Sequence, residues 1–129
     1  WYVALFSRAV TGLFKEIGMT EEYFASGENG SFALRQFINY LAEVRSGETI
    51  AVHTRLIERS EKRIHLVHFM LNETREVLSS TMEALISHAD LTRRKTSPFP
   101  PEIAARIDSL TAAAGELRWQ APLCGAIHA

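Results

Sequence analysis

Residues 49–71 read TIAVHTRLIERSEKRIHLVHFML, and their pattern predicts the centre of a β-sheet. Residues 49–58 alternate between two sets of side chains, the pattern of a strand with one buried face. Residues 63–72 combine β-branched, aromatic and long apolar side chains, which is typical of a strand with both faces partly covered. The polar residues 59–62 suit a hairpin turn, so the stretch predicts an antiparallel strand pair.

Two more strands complete the predicted sheet. Residues 31–42 carry apolar side chains on one parity, and residues 76–91 form a long strand after the polar turn at 72–75. The strands at 49–58, 63–72 and 76–91 follow one another through short polar turns, and they therefore form an antiparallel meander.

Helices are predicted on both sides of these strands. Residues 2–17 carry one apolar stripe at helical spacing, and Gly18 stands where a C-terminal glycine cap belongs. Residues 20–24 predict a short turn capped by its first residue, a threonine. A second helix is predicted at 101–115, because a proline is tolerated in the first helical turn. The tail from 117 to 129 has no clear period and is expected to be extended.

One helix, four antiparallel strands and a terminal helix form a two-layer α+β plan, which we expect to be a single domain over residues 1–129. Four strands would cover so apolar a helix poorly. We therefore infer a further strand, either before Trp1 or supplied by a partner chain. The sequence opens with Trp1-Tyr2-Val3 and no Met, so we expect the ordered or processed part of a longer chain.

Composition excludes several classes of protein. The 129 residues are 47% hydrophobic with a formal net charge of −1, which suits one globular domain rather than a disordered chain. Near-neutral charge also argues against a protein that coats nucleic acid. The single cysteine, Cys124, allows no internal disulfide and makes a reducing cytoplasm the default. No apolar stretch is long enough to span a membrane, and no secretory signal is visible.

The motifs of metal and nucleotide chemistry are missing from the sequence. His65 and His68 lie three residues apart, so on a strand they point to opposite faces and cannot share a metal. Surface or hydrogen-bonded core histidines are the favoured interpretation of both. No glycine-rich phosphate loop or Gly-x-Ser-x-Gly elbow is present. We therefore expect no metal and no cofactor.

Glu83 is the one catalytic candidate that the pattern itself offers. It lies in mid-strand between Met82 and Ala84, where a carboxylate is uncommon unless its face is wet or functional. A glutamate that simply faces solvent on an alternating strand is the competing interpretation.

Several short segments, in a consistent order along most of the chain, resemble one enzyme family. The chain resembles hotdog-fold acyl-CoA thioesterases of the 4-hydroxybenzoyl-CoA thioesterase type, and most nearly their betainyl-CoA branch. The segments are YVALFSRA (2–9), INYLAEV (38–44), GETI (47–50), HADL (88–91) with Arg94, PFP (98–100) and APLCG (121–125).

The resemblance implies a hotdog fold, in which an antiparallel sheet wraps a central helix. It implies a homodimer or homotetramer with sheets joined edge to edge and active sites at subunit interfaces. A carboxylate would attack the thioester or activate a water, while N–H groups at the helix start polarise the carbonyl. In the family the catalytic Asp lies in an Asp-x-Asn-x-His-x-Asn-type segment just before the tyrosine that Tyr2 matches. That segment would lie before Trp1, so Glu83 is a weak candidate.

The expected substrate is a short acyl-CoA, with coenzyme A entering as part of the substrate. Betainyl-CoA is the candidate, because ring faces attract a quaternary ammonium without a hydrogen bond. The candidate aromatic cage is Trp1, Tyr2, Phe37 and Tyr40. The candidate ligands of the CoA phosphates are Arg59, Lys62 and Arg63, with Arg93, Arg94 and Lys95 as the alternative cluster.

Two other functions stay open. One is a non-catalytic hotdog domain that binds acyl-CoA or serves only in assembly. The other is a hotdog dehydratase, which is disfavoured because its usual histidine and carboxylate pair has no recognisable match.

Overall fold

The computed structural model describes the backbone of residues 2–115 and the side chains of residues 4–114. Trp1, Cys124 and the tail expected to be extended lie outside the described residues. In chain order the elements are α1 (Tyr2–Ile17), α2 (Glu21–Ala25), β1 (Asn29–Tyr40), β2 (Ile50–Arg59), β3 (Arg63–Asn72), β4 (Val77–Asp90), β5 (Lys95–Thr96) and α3 (Pro101–Gly115).

Both long helices and all four predicted strands are present, which confirms the α+β plan. β1 ends at Tyr40 rather than at residue 42, because the N–H groups of Leu41 and Ala42 both donate to the Ser79 carbonyl, at 2.8 and 3.0 Å. The turn predicted at 20–24 is the short helix α2, whose N-cap hydroxyl accepts a bond from a backbone N–H.

Strand β5 was not predicted. Its two residues pair with Ala89 and Asp90 of β4, after a turn in which Arg94 has a φ of 54°. A two-residue strand carries no period, so its sequence has no strand signal.

The sheet is antiparallel, with strand order β1-β4-β3-β2. The meander of β2, β3 and β4 is therefore confirmed, and β1 adds to the far side of β4. Among residues 2–115 no strand pairs with the outer edge of β1 or of β2. The further strand inferred from the sequence remains a prediction.

Helix α1 packs on one face of the sheet, which we call the core face. Phe6, Leu13 and Ile17 of α1 meet alternate residues of the central strands, including Leu66 and Met82. Each such side chain contributes roughly 1.5–3 kcal/mol when it leaves water. Helix α3 closes the same side over β2.

The opposite face of the sheet, which we call the outer face, is polar at its centre. His65 and Val67 of β3 and Glu83 and Leu85 of β4 lie on it, and all four are buried. They alternate along their strands with the residues that contact α1. Within the part of the chain that is described, no helix is long and apolar enough to cross a membrane.

Candidate active site

The start of α1 is an electropositive helix terminus on the core face. The first four N–H groups of a helix have no partner inside it, and they carry the positive end of the helix dipole. Tyr2 is the first residue of α1, and the ring of Phe6, one turn later, lies against His68 on β3. Helix side chains lean toward the N-terminus, so this ring contact lies close to the free N–H groups.

His68 is a fully buried polar side chain beside that helix start. Its Nδ1 lies 2.7 Å from the hydroxyl of Thr54 on β2, and its ring stacks on Phe6 with centroids 5.8 Å apart and an interplanar angle of 18°. Its Nε2 has no hydrogen-bond partner among the described residues. Burial lowers the pKa of His68 to about 4, so the imidazole is neutral near pH 7.

Glu83, the catalytic candidate from the sequence, lies on the outer face. Its Oε2 lies 2.5 Å from Nε2 of His65, and Oε1 of Glu58 lies 3.6 Å from the other ring nitrogen. Its neighbours in the strand, Met82 and Ala84, face α1. The sheet therefore separates Glu83 from the helix start of its own chain, and the two cannot act on one carbonyl.

The structure separates the aromatic candidates. Phe37 pairs with Glu83 across β1 and β4 and is 45% exposed, whereas Tyr40 ends β1 and is 64% exposed. Three residues apart on a strand, their side chains lie on opposite faces, so within one chain they do not form a single cage. The side chains of Trp1 and Tyr2 lie outside the described residues.

The two basic clusters lie at one end of the sheet. The turn before β3 contains Lys62, and the His88 N–H donates to its carbonyl at 2.8 Å. β5, which follows Arg93 and Arg94, pairs with β4 just beyond that point. We call Lys62, Arg63, Arg93, Arg94 and Lys95 the basic end. From the sequence, the cluster before β3 and the cluster before β5 were alternative phosphate sites. In the structure they are neighbours.

Arg59 differs from the other basic candidates because it is already paired. Its Nε and Nη2 donate to the two carboxylate oxygens of Asp108 on α3, at 2.6 and 2.8 Å. This bidentate contact raises the pKa of Arg59 and lowers the pKa of Asp108. Arg59 therefore holds α3 on β2 and is poorly placed to bind phosphate.

His88 forms a second buried histidine site near the basic end. Its Nε2 lies 2.7 Å from the Tyr23 hydroxyl and its Nδ1 lies 2.8 Å from the Ser97 hydroxyl. Burial lowers the pKa of His88 and raises the pKa of Tyr23. Both ring nitrogens are hydrogen-bonded. The series of bonds from Tyr23 through His88 to Ser97 therefore joins α2, β4 and the segment before α3 and has a structural role. Sequence spacing gave no signal for it, because its members are far apart in the chain.

The cavities among the described residues include one beside β2 and one at the basic end. A groove of about 510 Å³ follows the free edge of β2 between α1 and α3, lined by residues such as Gly12, Val52, Thr54 and Leu110. A depression of about 390 Å³ lies beside His88 at the basic end. Within residues 2–115 no group of three or more His, Cys, Asp or Glu side chains could hold a metal ion.

An antiparallel sheet that packs on one long helix is the arrangement of hotdog-fold proteins. The family described as the Thioesterase-like superfamily matches residues 1–107, and the chain belongs to this superfamily.

Two curated relatives carry thioesterase names. The chain is 32% identical over 111 residues to the L-carnitine dehydrogenase/betainyl-CoA thioesterase of Agrobacterium fabrum, covering 86% of this chain and 22% of that protein. It is 27% identical over 113 residues to the betainyl-CoA thioesterase of Pseudomonas aeruginosa, covering 88% of this chain and 71% of that protein. The chain therefore spans about a fifth of the first relative and most of the second.

Solved structures show the same fold. A Staphylococcus aureus protein solved in complex with CoA is 22% identical, with a TM-score of 0.85 over 92% of this chain and 75% of that one. A DHNA-CoA thioesterase from Staphylococcus aureus is 17% identical, with a TM-score of 0.78 over 89% of this chain and 78% of that one. At these identities the similarity establishes the fold, and it confirms the hotdog prediction.

His68 predicts a pH dependence of stability. Its folded pKa of about 4 lies below the ordinary value of 6.5, so between these values the unfolded chain binds the proton more tightly. The contribution of His68 to the free energy of unfolding is therefore fully present above about pH 6.5. It is lost as the pH falls toward 4, and the loss amounts to roughly 3 kcal/mol. Urea unfolding of wild type and His68→Phe from pH 7.5 to 4 should show a flatter dependence in the variant. Parallel curves would contradict the prediction.

Proposed function

We propose that this chain is the thioesterase domain of an acyl-CoA hydrolase. The observation that carries the proposal is its membership of the Thioesterase-like superfamily over residues 1–107. Two relatives named as betainyl-CoA thioesterases match over 86% and 88% of the chain, and a structural neighbour was solved with CoA, which supports acyl-CoA as the substrate class. The thioesterase names of these relatives favour an enzyme over a domain that only binds acyl-CoA or only assembles.

The proposed chemistry takes place at the start of α1. The thioester oxygen accepts hydrogen bonds from the free N–H groups, which stabilise the negative charge that develops on it. A carboxylate attacks the carbonyl carbon or activates the attacking water. Because Glu83 lies on the outer face, we propose that this carboxylate belongs to the segment that the resemblance places before Trp1.

Betainyl is the proposed acyl group. Its trimethylammonium needs aromatic faces rather than hydrogen-bond donors. Tyr40 pairs with Ser80 of β4, and Met82, two residues further along β4, pairs with His68. The exposed ring of Tyr40 therefore lies near His68 and the start of α1. Tyr40, with Trp1 and Tyr2 at the beginning of the chain, is the proposed cage. Phe37 lies on the outer face and would serve a different surface.

We propose that β1 joins two chains edge to edge. β1 is twelve residues long and its outer edge is unpaired within the described residues. It carries exposed apolar side chains on both faces, at Phe32, Leu34, Phe37 and Tyr40. A long apolar edge strand is a template for association. The β1 strand of a second copy can pair with the backbone groups of this edge in a symmetric dimer.

The dimer places the basic end of one chain beside the helix start of the other. Along β4, the row of Tyr40 and the basic end are about 30 Å apart, at about 3.3 Å per residue. Antiparallel pairing of two β1 strands brings the Asn29 end of the second copy beside Tyr40. Asn29 pairs with Asp90, just before Arg93 and Arg94. We therefore favour Arg93, Arg94 and Lys95 over Arg59, Lys62 and Arg63 as the phosphate ligands, acting across the interface.

The remaining proposals concern location and partners. The single cysteine of the sequence suits a reducing compartment, and we propose the cytoplasm. The proposed reaction needs acyl-CoA and water, and it uses no metal or other cofactor. Neither nucleic acid nor a membrane is a proposed partner.

Hydrolysis is tested with a panel of acyl-CoA esters that includes betainyl-CoA, by measuring the CoA thiol released. Protein carrying the residues its gene encodes before Trp1 should release CoA from a short acyl ester. The 129-residue chain should be slower by orders of magnitude, because it lacks the proposed carboxylate. Binding of acyl-CoA without release would favour the non-catalytic domain. Equal activity of both proteins, lost on Glu83→Gln, would instead make Glu83 the catalytic group.

The edge-to-edge dimer is tested by a charge on β1. Leu34→Lys lies at the middle of β1, so two lysines would meet near the two-fold axis and shift the protein toward monomer. Val77→Lys is the matched control, because Val77 is similarly exposed but lies on β4. Sedimentation at micromolar concentration should give a dimer for wild type and the control. A monomeric wild type would contradict the proposal.

The phosphate site is tested by removing charge at the basic end. Arg93→Gln/Arg94→Gln should raise KM for a CoA ester by roughly 10-fold or more with little change in kcat, because hydrogen bonds to charged groups contribute roughly 1.5–3 kcal/mol each. Arg8→Gln/Lys15→Gln removes the same charge from the exposed side of α1 and should leave KM unchanged. Equal KM values for the two double variants would exclude the site.

A further inference from the structure

His68 is a buried polar group of the core face that the proposed mechanism leaves without a role. Leu66 and Met70 flank it on β3, and Met82 lies opposite it on β4. A polar atom in such surroundings is destabilising unless it is hydrogen-bonded. The sequence gains nothing in packing from an imidazole here, because an apolar side chain of similar volume would fill the same space.

Thr54 fixes the orientation of the imidazole but satisfies only one of its nitrogens. Its hydroxyl lies 2.7 Å from Nδ1, so Nε2 is directed to the other side of the ring, away from β2. No described residue bonds that Nε2. An unsatisfied buried polar group costs about 1–3 kcal/mol, and native proteins keep few of them without a reason. The ring is thus held in place with one nitrogen available to a ligand.

The available nitrogen lies beside the turn of α1 that the proposed function uses. The ring of Phe6 lies nearly parallel to the imidazole, with centroids 5.8 Å apart. Phe6 is four residues after the first residue of α1, and its side chain leans back toward the free N–H groups. The imidazole therefore lies near the helix start, where the proposed function places the thioester carbonyl.

We propose that His68 is a further catalytic residue, whose Nε2 holds the water that hydrolyses the acyl group at the start of α1. Water both donates and accepts hydrogen bonds, so it satisfies Nε2 in either tautomer of the neutral ring. The inference rests on the proposed thioesterase function.

The step balances without a change of charge on His68. The water oxygen bonds to the carbonyl carbon as the carbon–sulfur bond breaks. One water proton passes to the carboxylate and from there to the departing CoA thiolate. If the carboxylate attacks first, the carbon–sulfur bond breaks and CoA leaves as the thiolate; the same water then cleaves the resulting anhydride, which restores the carboxylate, and the proton released passes to the thiolate. In both routes the imidazole positions the water and remains neutral.

The test compares His68→Phe with His68→Gln and Thr54→Val in the protein with its natural N-terminus. His68→Phe keeps a ring against Phe6 and removes both nitrogens, so kcat should fall by roughly 10²-fold while KM changes by less than about 2-fold. Thermal stability should be equal or higher, because the unsatisfied nitrogen is gone. His68→Gln should recover part of kcat, since its amide can hold water. Thr54→Val, which frees the ring, should lower kcat by roughly 10-fold.

The control is His53→Phe, because His53 is an exposed histidine on the neighbouring strand β2 and should leave kcat unchanged. If His68→Phe is folded and its kcat is within 2-fold of wild type, the assignment of His68 is overturned and the proposed function is not. An equal fall of kcat in the His53→Phe control has the same consequence. If His68→Phe does not fold, Thr54→Val decides, and wild-type kcat in that variant overturns the assignment. A wild-type protein that releases no CoA from any ester overturns the proposed function and this assignment together.

Discussion

The contact between the apolar stripe of α1 and the core face of the sheet is the constraint on which the rest of the structure depends. Phe6, Leu13 and Ile17 have to be covered, and only one face of the sheet can cover them. A one-residue slip of any strand would turn its apolar set away from the helix, so this contact fixes the strand register. It also fixes where the helix starts. Phe6, in the second turn of α1, lies against His68 of β3.

The same constraint divides the polar chemistry of the chain between two faces. Side chains that alternate with the core residues are forced outward, which is why Glu83 and His65 meet on the outer face. Their contact is short and buried, and breaking such a pair leaves an uncompensated polar group. The hydrogen bond to His65 therefore explains why a carboxylate, Glu83, is present in the middle of β4. The catalytic geometry depends instead on what reaches the core face.

The sequence predicts the fold well, because the period of the side chains carries the information. The change from helical to strand period between residues 2–17 and 49–58 places α1 and the meander. The period cannot predict that β1 pairs with β4, because the side chains of β1 would alternate in the same way at either edge of the sheet. Nor can it predict Arg59 with Asp108, because that ion pair depends on how α3 crosses β2. Alternation alone does not say which parity of β4 faces the helix, so Glu83 could be placed on a face only by the structure.

His65 and His68 differ in the kind of partner that holds each ring. They lie on one strand, three residues apart, and both are buried. Nε2 of His65 lies 2.5 Å from Glu83, whereas its Nδ1 lies 3.6 Å from Glu58 and makes no hydrogen bond to a described residue. His68 has a hydroxyl at one nitrogen, and none of the described residues bonds the other.

A difference in burial cannot explain this contrast, since both rings are almost completely inaccessible. It follows from the side chains that lie beside each ring. The outer face carries charged side chains from three strands, and one of them, Glu83, is hydrogen-bonded to Nε2 of His65. The core face can also satisfy an imidazole, since Tyr23 and Ser97 bond both ring nitrogens of His88, which packs on Phe99 of the core. Nε2 of His68 has no such partner among the described residues, so a polar group that approaches it would stabilise the ring. In the proposed reaction the helix start polarises the thioester carbonyl, and the water that attacks this carbonyl has the chemistry to satisfy Nε2 of His68 from that side.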